Sequence, residues 1–74
     1  MKIDFDRIIK NSGEKISKRN LAEEMYQAGV FKSVISGINM MNYHERGEAK
    51  SIDYELLGFL MKRFNLTKDE IIIS

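Results

Sequence analysis

The spacing of the apolar residues constrains the fold of this chain more than any other feature of its sequence. Apolar side chains recur about every 3.6 positions, and no segment sustains the alternation of a half-buried strand. The chain has no proline that would interrupt a helix. Its 74 residues are enough for one small core. We therefore predict a single compact all-α domain over residues 1–74, built from five helices.

Capping residues mark where these helices begin and end. Serine, threonine and aspartate accept hydrogen bonds from the free N–H groups of a first helical turn. Glycine often closes a helix because it readily adopts the left-handed conformation. Helix starts are predicted at Asp4, Ser17, Ser33, Ser51 and Thr67, and the first three helices are predicted to end at Gly13, Gly29 and Gly47.

Each predicted helix has an apolar face that we expect to form the core. The terminal run Ile71 to Ile73 has two interpretations, closure of the core or contact with a second copy. The predicted core residues of helices one to four are Phe5, Ile8 and Ile9, then Leu21, Ala22, Met25 and Ala28, then Val34, Ile35, Ile38 and Met41, then Leu56, Leu57, Leu60, Met61 and Phe64.

The outward face of the third helix is unusual in having few charges. Solvent-exposed helices normally carry glutamate and lysine, whereas this face is small, polar and mostly uncharged. Such side chains suit contact with a polar surface, and DNA base edges are the leading candidate. The outward residues are Ser36, Asn39, Met40, Asn42 and Tyr43.

Composition argues against several other functions. There is no cysteine for a disulfide or thiolate metal site, and His44, the only histidine, lacks a partner at metal or triad spacing. We therefore expect no enzyme activity, no cofactor and no small-molecule ligand. The longest apolar run is too short to cross a membrane. Asp4 and Asp6 lie where a secretory signal would be apolar, so a cytoplasmic location is predicted.

The charge distribution favours nucleic acid only slightly. The net charge is +1, well short of a strongly basic binder. Residues 15–44 carry a net +2 and the remaining residues a net −1. The small excess therefore falls on the second and third helices.

An ordered series of short motifs resembles the lambda-repressor-like (Cro/XRE-type) helix-turn-helix family. Its members are a capped Leu21-Ala22 pair, a Gly29-Val30 turn, Glu45-Arg46-Gly47, a serine-capped leucine-rich helix and the closing residues 65–72. The resemblance covers residues 16–72 and extends to small regulators of phages and mobile elements. Two departures stand out: Gly29 follows Ala22 by seven positions rather than the family's usual four, and the third helix is longer than usual.

The resemblance implies a compact helix-turn-helix domain that acts in transcription regulation as a sequence-specific binder of double-stranded DNA. Residues 33–45 would be the recognition helix in the major groove, and a homodimer on a palindromic operator is expected. Predicted phosphate contacts are Lys18, Arg19, Lys32, Arg46 and Lys50, and predicted base or sugar contacts are Ser33, Ser36, Asn39, Met40, Asn42 and Tyr43.

Several alternatives stay open at this point. Ser33 is expected to cap its helix whether or not it contacts DNA, and Gly37 either admits DNA closely or packs on the second helix. Met40 and Tyr43 are exposed contacts or core residues, and bases are read by Ser36 and Asn39 or one turn later. The alternative function is a protein-interaction module on the same scaffold, without DNA binding.

Overall fold

The computed structural model describes residues 1–73 and confirms the predicted helical character. Two short strands, which the sequence did not predict, pair antiparallel with Lys2 opposite Ile73 and Ile3 opposite Ile72. The elements in order are β1 (Lys2–Ile3), α1 (Phe5–Ser12), α2 (Lys18–Gln27), α3 (Val34–Glu45), α4 (Tyr54–Phe64), α5 (Lys68–Ile71) and β2 (Ile72–Ile73).

Four of the five predicted helix caps are confirmed. Asp4 and Ser33 each accept a hydrogen bond from the backbone N–H three residues later, at 3.0 Å. Ser17 and Thr67 form full capping boxes, in which the side chains of Asn20 and Glu70 return a bond to the cap residue's own N–H. These caps are local, so the sequence alone was sufficient to predict them.

The predicted cap at Ser51 is wrong, because Asp53 caps α4 instead. The Asp53 carboxylate accepts hydrogen bonds from the N–H groups of Glu55 at 2.8 Å and Leu56 at 3.1 Å. Its negative charge also complements the positive end of the helix dipole. Ile52 is buried just before it, so the chain reaches the core before the helix begins.

The core draws on all five helices and on β1. Three predicted core residues are wrong. Ala28 lies beyond the last turn of α2 and is exposed, and Ile35 turns away from the face that packs inward. Met61 is the third, since it lies at the edge of the core with 36% of its surface exposed. The fully buried large side chains are Phe5, Ile3, Leu21, Met25, Met41, Leu56, Leu60, Ile71 and His44.

The terminal isoleucines close the core. Ile71 is fully buried, while Ile72 and Ile73 are half-buried and form β2 against β1. Two-residue strands are too short to show an alternating pattern, and their pairing joins the two ends of the chain. Within residues 1–73 no helix is long and apolar enough to cross a membrane.

Candidate nucleic-acid interface

The rotation of α3 is set by close packing on α2 at Gly37. A Cβ placed on Gly37 would lie 3.3 Å from the Cβ of Ala22 and 3.2 Å from Cδ2 of Phe31. Both distances are tighter than ordinary van der Waals contact, so a side chain here would force its neighbours to move. Gly37 therefore serves the packing of α3 on α2 and is buried.

The opposite face of α3 is open to solvent. Ser36, Asn39 and Asn42 are exposed, as the sequence predicted, whereas Met40 and Tyr43 are half-buried. Ile35 was missed as a site residue, although it is 68% exposed beside Asn39. A helical wheel oriented by Gly37 rather than by Val34 would have placed Ile35 outward.

Hydrogen-bonding capacity differs among the polar residues of this face. Ser33 Oγ accepts from the Ser36 N–H at 3.0 Å and donates to Ser36 Oγ at 2.9 Å, so its hydroxyl is committed to the cap. The Ser36 hydroxyl keeps its own proton to donate. No other residue of the described chain hydrogen-bonds the side-chain amides of Asn39 and Asn42. Ser36, Asn39 and Asn42 can therefore all bind an external polar partner.

Tyr43 is tied to the segment after α3. Its hydroxyl donates to the Glu48 carbonyl at 3.5 Å, and its ring meets the His44 ring edge-to-face with centroids 5.6 Å apart. Met40, Tyr43 and the exposed Lys50 line a cleft of about 370 Å³ between the end of α3 and the start of α4. Tyr43 is thus a half-buried residue that packs against His44 and also lines this cleft.

The predicted phosphate-binding cations fall into two groups. Arg19 and Lys32 are exposed and have no ion-pair partner within residues 1–73. Lys18 is half-buried and pairs with Glu45 at 2.9 Å, and that carboxylate raises the pKa of the Lys18 ammonium. Arg46 pairs with Glu48 at 2.7 Å on the surface. Arg19, Lys32 and the exposed Lys50 are therefore better placed for phosphate than Lys18 or Arg46.

Lys18 also adjoins a small group of carboxylates. The side-chain oxygens of Asp4, Asp6 and Glu45 lie within 4.8 Å of one another. Carboxylates at this spacing can hold a hard cation. The Lys18 ammonium already supplies a positive charge to this group through its bond to Glu45. That bond also joins α2 to the last turn of α3. The Lys18–Glu45 pair accordingly acts as a structural contact between α2 and α3.

His44 is the least expected residue near this face. It lies in the last turn of α3, as predicted, but only 1% of it is exposed. Neither ring nitrogen has a hydrogen-bond partner in the described part of the chain. Burial lowers the pKa of the imidazole below its ordinary value of 6.5, and the Asp53 carboxylate opposes this only in part. His44 is therefore neutral in the folded protein at pH 7.

We expect the protein to lose stability as the pH falls from 7 to 5, because of His44. The unfolded chain takes up a proton near pH 6.5, whereas the folded chain resists it until a lower pH, so protonation favours unfolding. His44→Leu should flatten this dependence and leave the protein at least as stable at pH 7, since two unpaired ring nitrogens are removed. Urea unfolding at pH 5, 6 and 7 measures it.

Two glutamates with shifted pKa values titrate below the pH range of that measurement and therefore do not obscure the histidine. The pKa values of Glu14 and Glu70 are lowered from 4.5, by Arg63 and by the Thr67 cap respectively. Their stabilisation is lost only as the pH falls below about 4.5, outside the histidine range. A wild-type free energy of unfolding that stays constant between pH 7 and 5 would contradict a buried neutral His44.

Comparisons with protein-family models, with curated proteins and with solved structures give no match to this chain.

Proposed function

We propose that this protein is a sequence-specific DNA-binding transcriptional regulator of helix-turn-helix type, with α2 and α3 as the motif. The exposed face of α3 supports this proposal most directly. That face carries uncharged side chains, Ser36, Asn39 and Asn42, that keep hydrogen-bonding capacity unused within residues 1–73, while the opposite face is held on α2 by Gly37. A recognition helix in the major groove needs this division, because one face must be rigidly packed and the other must meet base edges.

The chemistry of individual side chains defines the proposed base contacts. The Asn39 amide can pair bidentately with adenine, and the Ser36 hydroxyl can donate to an acceptor such as guanine N7. Ile35, one turn before Asn39, offers an apolar surface that suits the methyl group of thymine. Asn39 and Ile35 would therefore favour A·T pairs under the first turns of α3, whereas Ser36 would accept any base that presents a suitable acceptor.

Arg19 and Lys32 are the proposed phosphate contacts, since they lie in or just before the first turns of α2 and α3 and are exposed with no ion pair to another described residue. Cations here would fix the position of the motif on the DNA backbone without reading sequence. Lys18 would contribute less, because contact with phosphate competes with its bond to Glu45.

Alanine substitutions test this electrostatic assignment. Arg19→Ala and Lys32→Ala should each weaken binding similarly on all DNA sequences and reduce the slope of log K against log salt by about 1 per subunit. Lys18→Ala should change the slope less. Lys10→Ala, which removes an exposed charge from the end of α1, serves as the matched control and should leave the slope unchanged. Fluorescence anisotropy over a salt series measures these slopes.

Two outcomes would count against the proposal in different ways. An unchanged slope in both the Arg19 and Lys32 variants would mean that another face of the protein meets the DNA. Wild-type protein that fails to bind DNA at low salt would remove the DNA-binding function altogether.

One observation favours a second candidate function, a protein-interaction module that uses the same face. Ile35 is a large apolar side chain at 68% exposure, and the half-buried Met40 and Tyr43 lie on the same helix. Methionine and aromatic residues are enriched at protein interfaces. The nearly neutral net charge of this chain also suits a protein partner better than it suits DNA. Absence of DNA binding together with a protein partner lost on Ile35→Ala would support this candidate.

A further inference from the structure

The outer face of α4 carries apolar groups that the described chain leaves largely or partly uncovered. Tyr54 is 87% exposed at the first position of the helix, and Met61, two turns later on the same side, is 36% exposed. Between them lies Gly58, where an added Cβ would meet nothing within 4 Å. Glycine disfavours a helix interior, and neither a turn nor close packing in the described chain requires it here. A second helix, in contrast, can approach closely over a glycine.

The charges on this face would complement those of a second copy of the same face. Glu55 and Lys62 are exposed and have no ion-pair partner within residues 1–73. They lie almost two turns apart, about 10 Å along the helix. On a wheel of 100° per residue, Tyr54 and Met61 lie on one side of Gly58, and Glu55 and Lys62 lie on the other.

We propose that this face of α4 binds α4 of a second copy of the chain, antiparallel and crossing near Gly58. A two-fold axis through the crossing places each Glu55 opposite Lys62 of the partner copy. The same axis places each Tyr54 opposite Met61 of the partner copy. A parallel pair would instead bring Glu55 beside the partner's tyrosine and leave the charges unmatched. Closed two-fold dimers are the commonest symmetric assemblies.

A groove beside Tyr54 extends the proposed contact beyond the helix pair. It has a volume of about 100 Å³ and is lined by Met1, Leu57 and Ile72 among others. The antiparallel arrangement brings the partner's methionine at 61 to this groove, on the same side of the helix as Leu57. The additional apolar contact matters because one short helix pair buries less surface than stable interfaces do. This proposal does not depend on DNA binding.

Charge reversal tests the pairing. Sedimentation velocity over a concentration series should show wild-type chain in a monomer–dimer equilibrium below about 1 mM. Glu55→Lys and Lys62→Glu should each weaken self-association by about tenfold or more, since like charges then meet at both ends. An equimolar mixture of the two variants should associate again, because each lysine then faces a glutamate, and the double variant should recover the homodimer. Glu23→Lys, on an exposed site of α2, is the control and should dimerise as wild type does.

A second variant separates loss of association from loss of folding. Gly58→Gln puts a helix-favouring side chain into open space, so the monomer should resist urea at least as well as wild type. The added bulk blocks the close crossing and should weaken dimerisation by about tenfold. Wild-type chain that stays monomeric at about 1 mM would overturn the proposal. So would single charge variants that dimerise as wild type does, a mixture that fails to associate, or a Gly58→Gln protein with unchanged dimerisation.

Discussion

Leu21→Ala and Leu60→Ala are each expected to lower the free energy of unfolding by about 2–5 kcal/mol. Both leucines are completely buried, Leu21 in the first part of α2 and Leu60 in α4. Truncation removes apolar contacts and leaves a cavity that the surrounding helices fill only in part. Since domains of this size have modest stability, either variant should unfold at much lower urea concentration.

Ile35→Ala is the matched control for these core variants. It removes a similar side chain, but from an exposed site of the same protein, so its cost should stay within about 0.5 kcal/mol. Urea unfolding followed by circular dichroism at pH 7 measures all three proteins. A cost below about 0.5 kcal/mol for either leucine would contradict the core described above.

Asn39→Ala is expected to weaken binding to the preferred DNA site by about 1–3 kcal/mol, about five- to 150-fold. Binding to unrelated DNA should barely change, because the amide carries no charge. Folding stability should also be preserved, since Asn39 is exposed and its side chain bonds no other described residue. Selection of binding sites from a random pool, repeated with the variant, should show a relaxed preference at one position.

Asn42→Ala and Ser36→Ala distinguish which turn of α3 reads the bases. Contacts from the first turns would make Ser36→Ala alter the consensus as well, whereas contacts one turn later would make Asn42→Ala alter it instead. A consensus that is identical for wild type and all three variants would mean that this face does not read sequence. The protein-interaction function would then become the better proposal.

Local signals in the sequence predicted the helices well. Asp4, Ser17, Ser33 and Thr67 cap as expected, because each acts on N–H groups within three residues of itself. The same local reasoning failed at Ser51. There, burial of Ile52 decided where the chain enters α4, and the carboxylate of Asp53 took the cap.

The orientation of each helix depended on tertiary contacts. Periodicity identified the inward stripe of α2, yet Ala28 lies past the end of its last turn. In α3 the periodicity placed both Val34 and Ile35 on the core face, whereas the close approach of Gly37 to Ala22 turned Ile35 outward. The exposed face of the candidate site therefore gained its most apolar residue from packing on the opposite side of the helix.

Ion pairs between residues far apart in the chain could not be predicted from the sequence. Lys18 and Glu45 are 27 positions apart, and Arg63 binds Glu14 and Glu24 from 49 and 39 positions away. Many such pairings were equally compatible with the composition. Only the folded backbone brings particular charges within hydrogen-bonding distance. It committed Lys18 to a structural bond, whereas Arg19 and Lys32 form no ion pair with any of residues 1–73.

The sequence by itself thus determined the number of helices, most of their boundaries and the polar character of the exposed face of α3, because capping and periodicity act over a few residues. Only the tertiary structure decided that residues 2–3 and 72–73 pair as strands, that Gly37 packs on α2 and that His44 is buried with no hydrogen-bond partner among residues 1–73. Each of these depends on contacts between segments far apart in the chain, which form when the helices exclude water from a shared core.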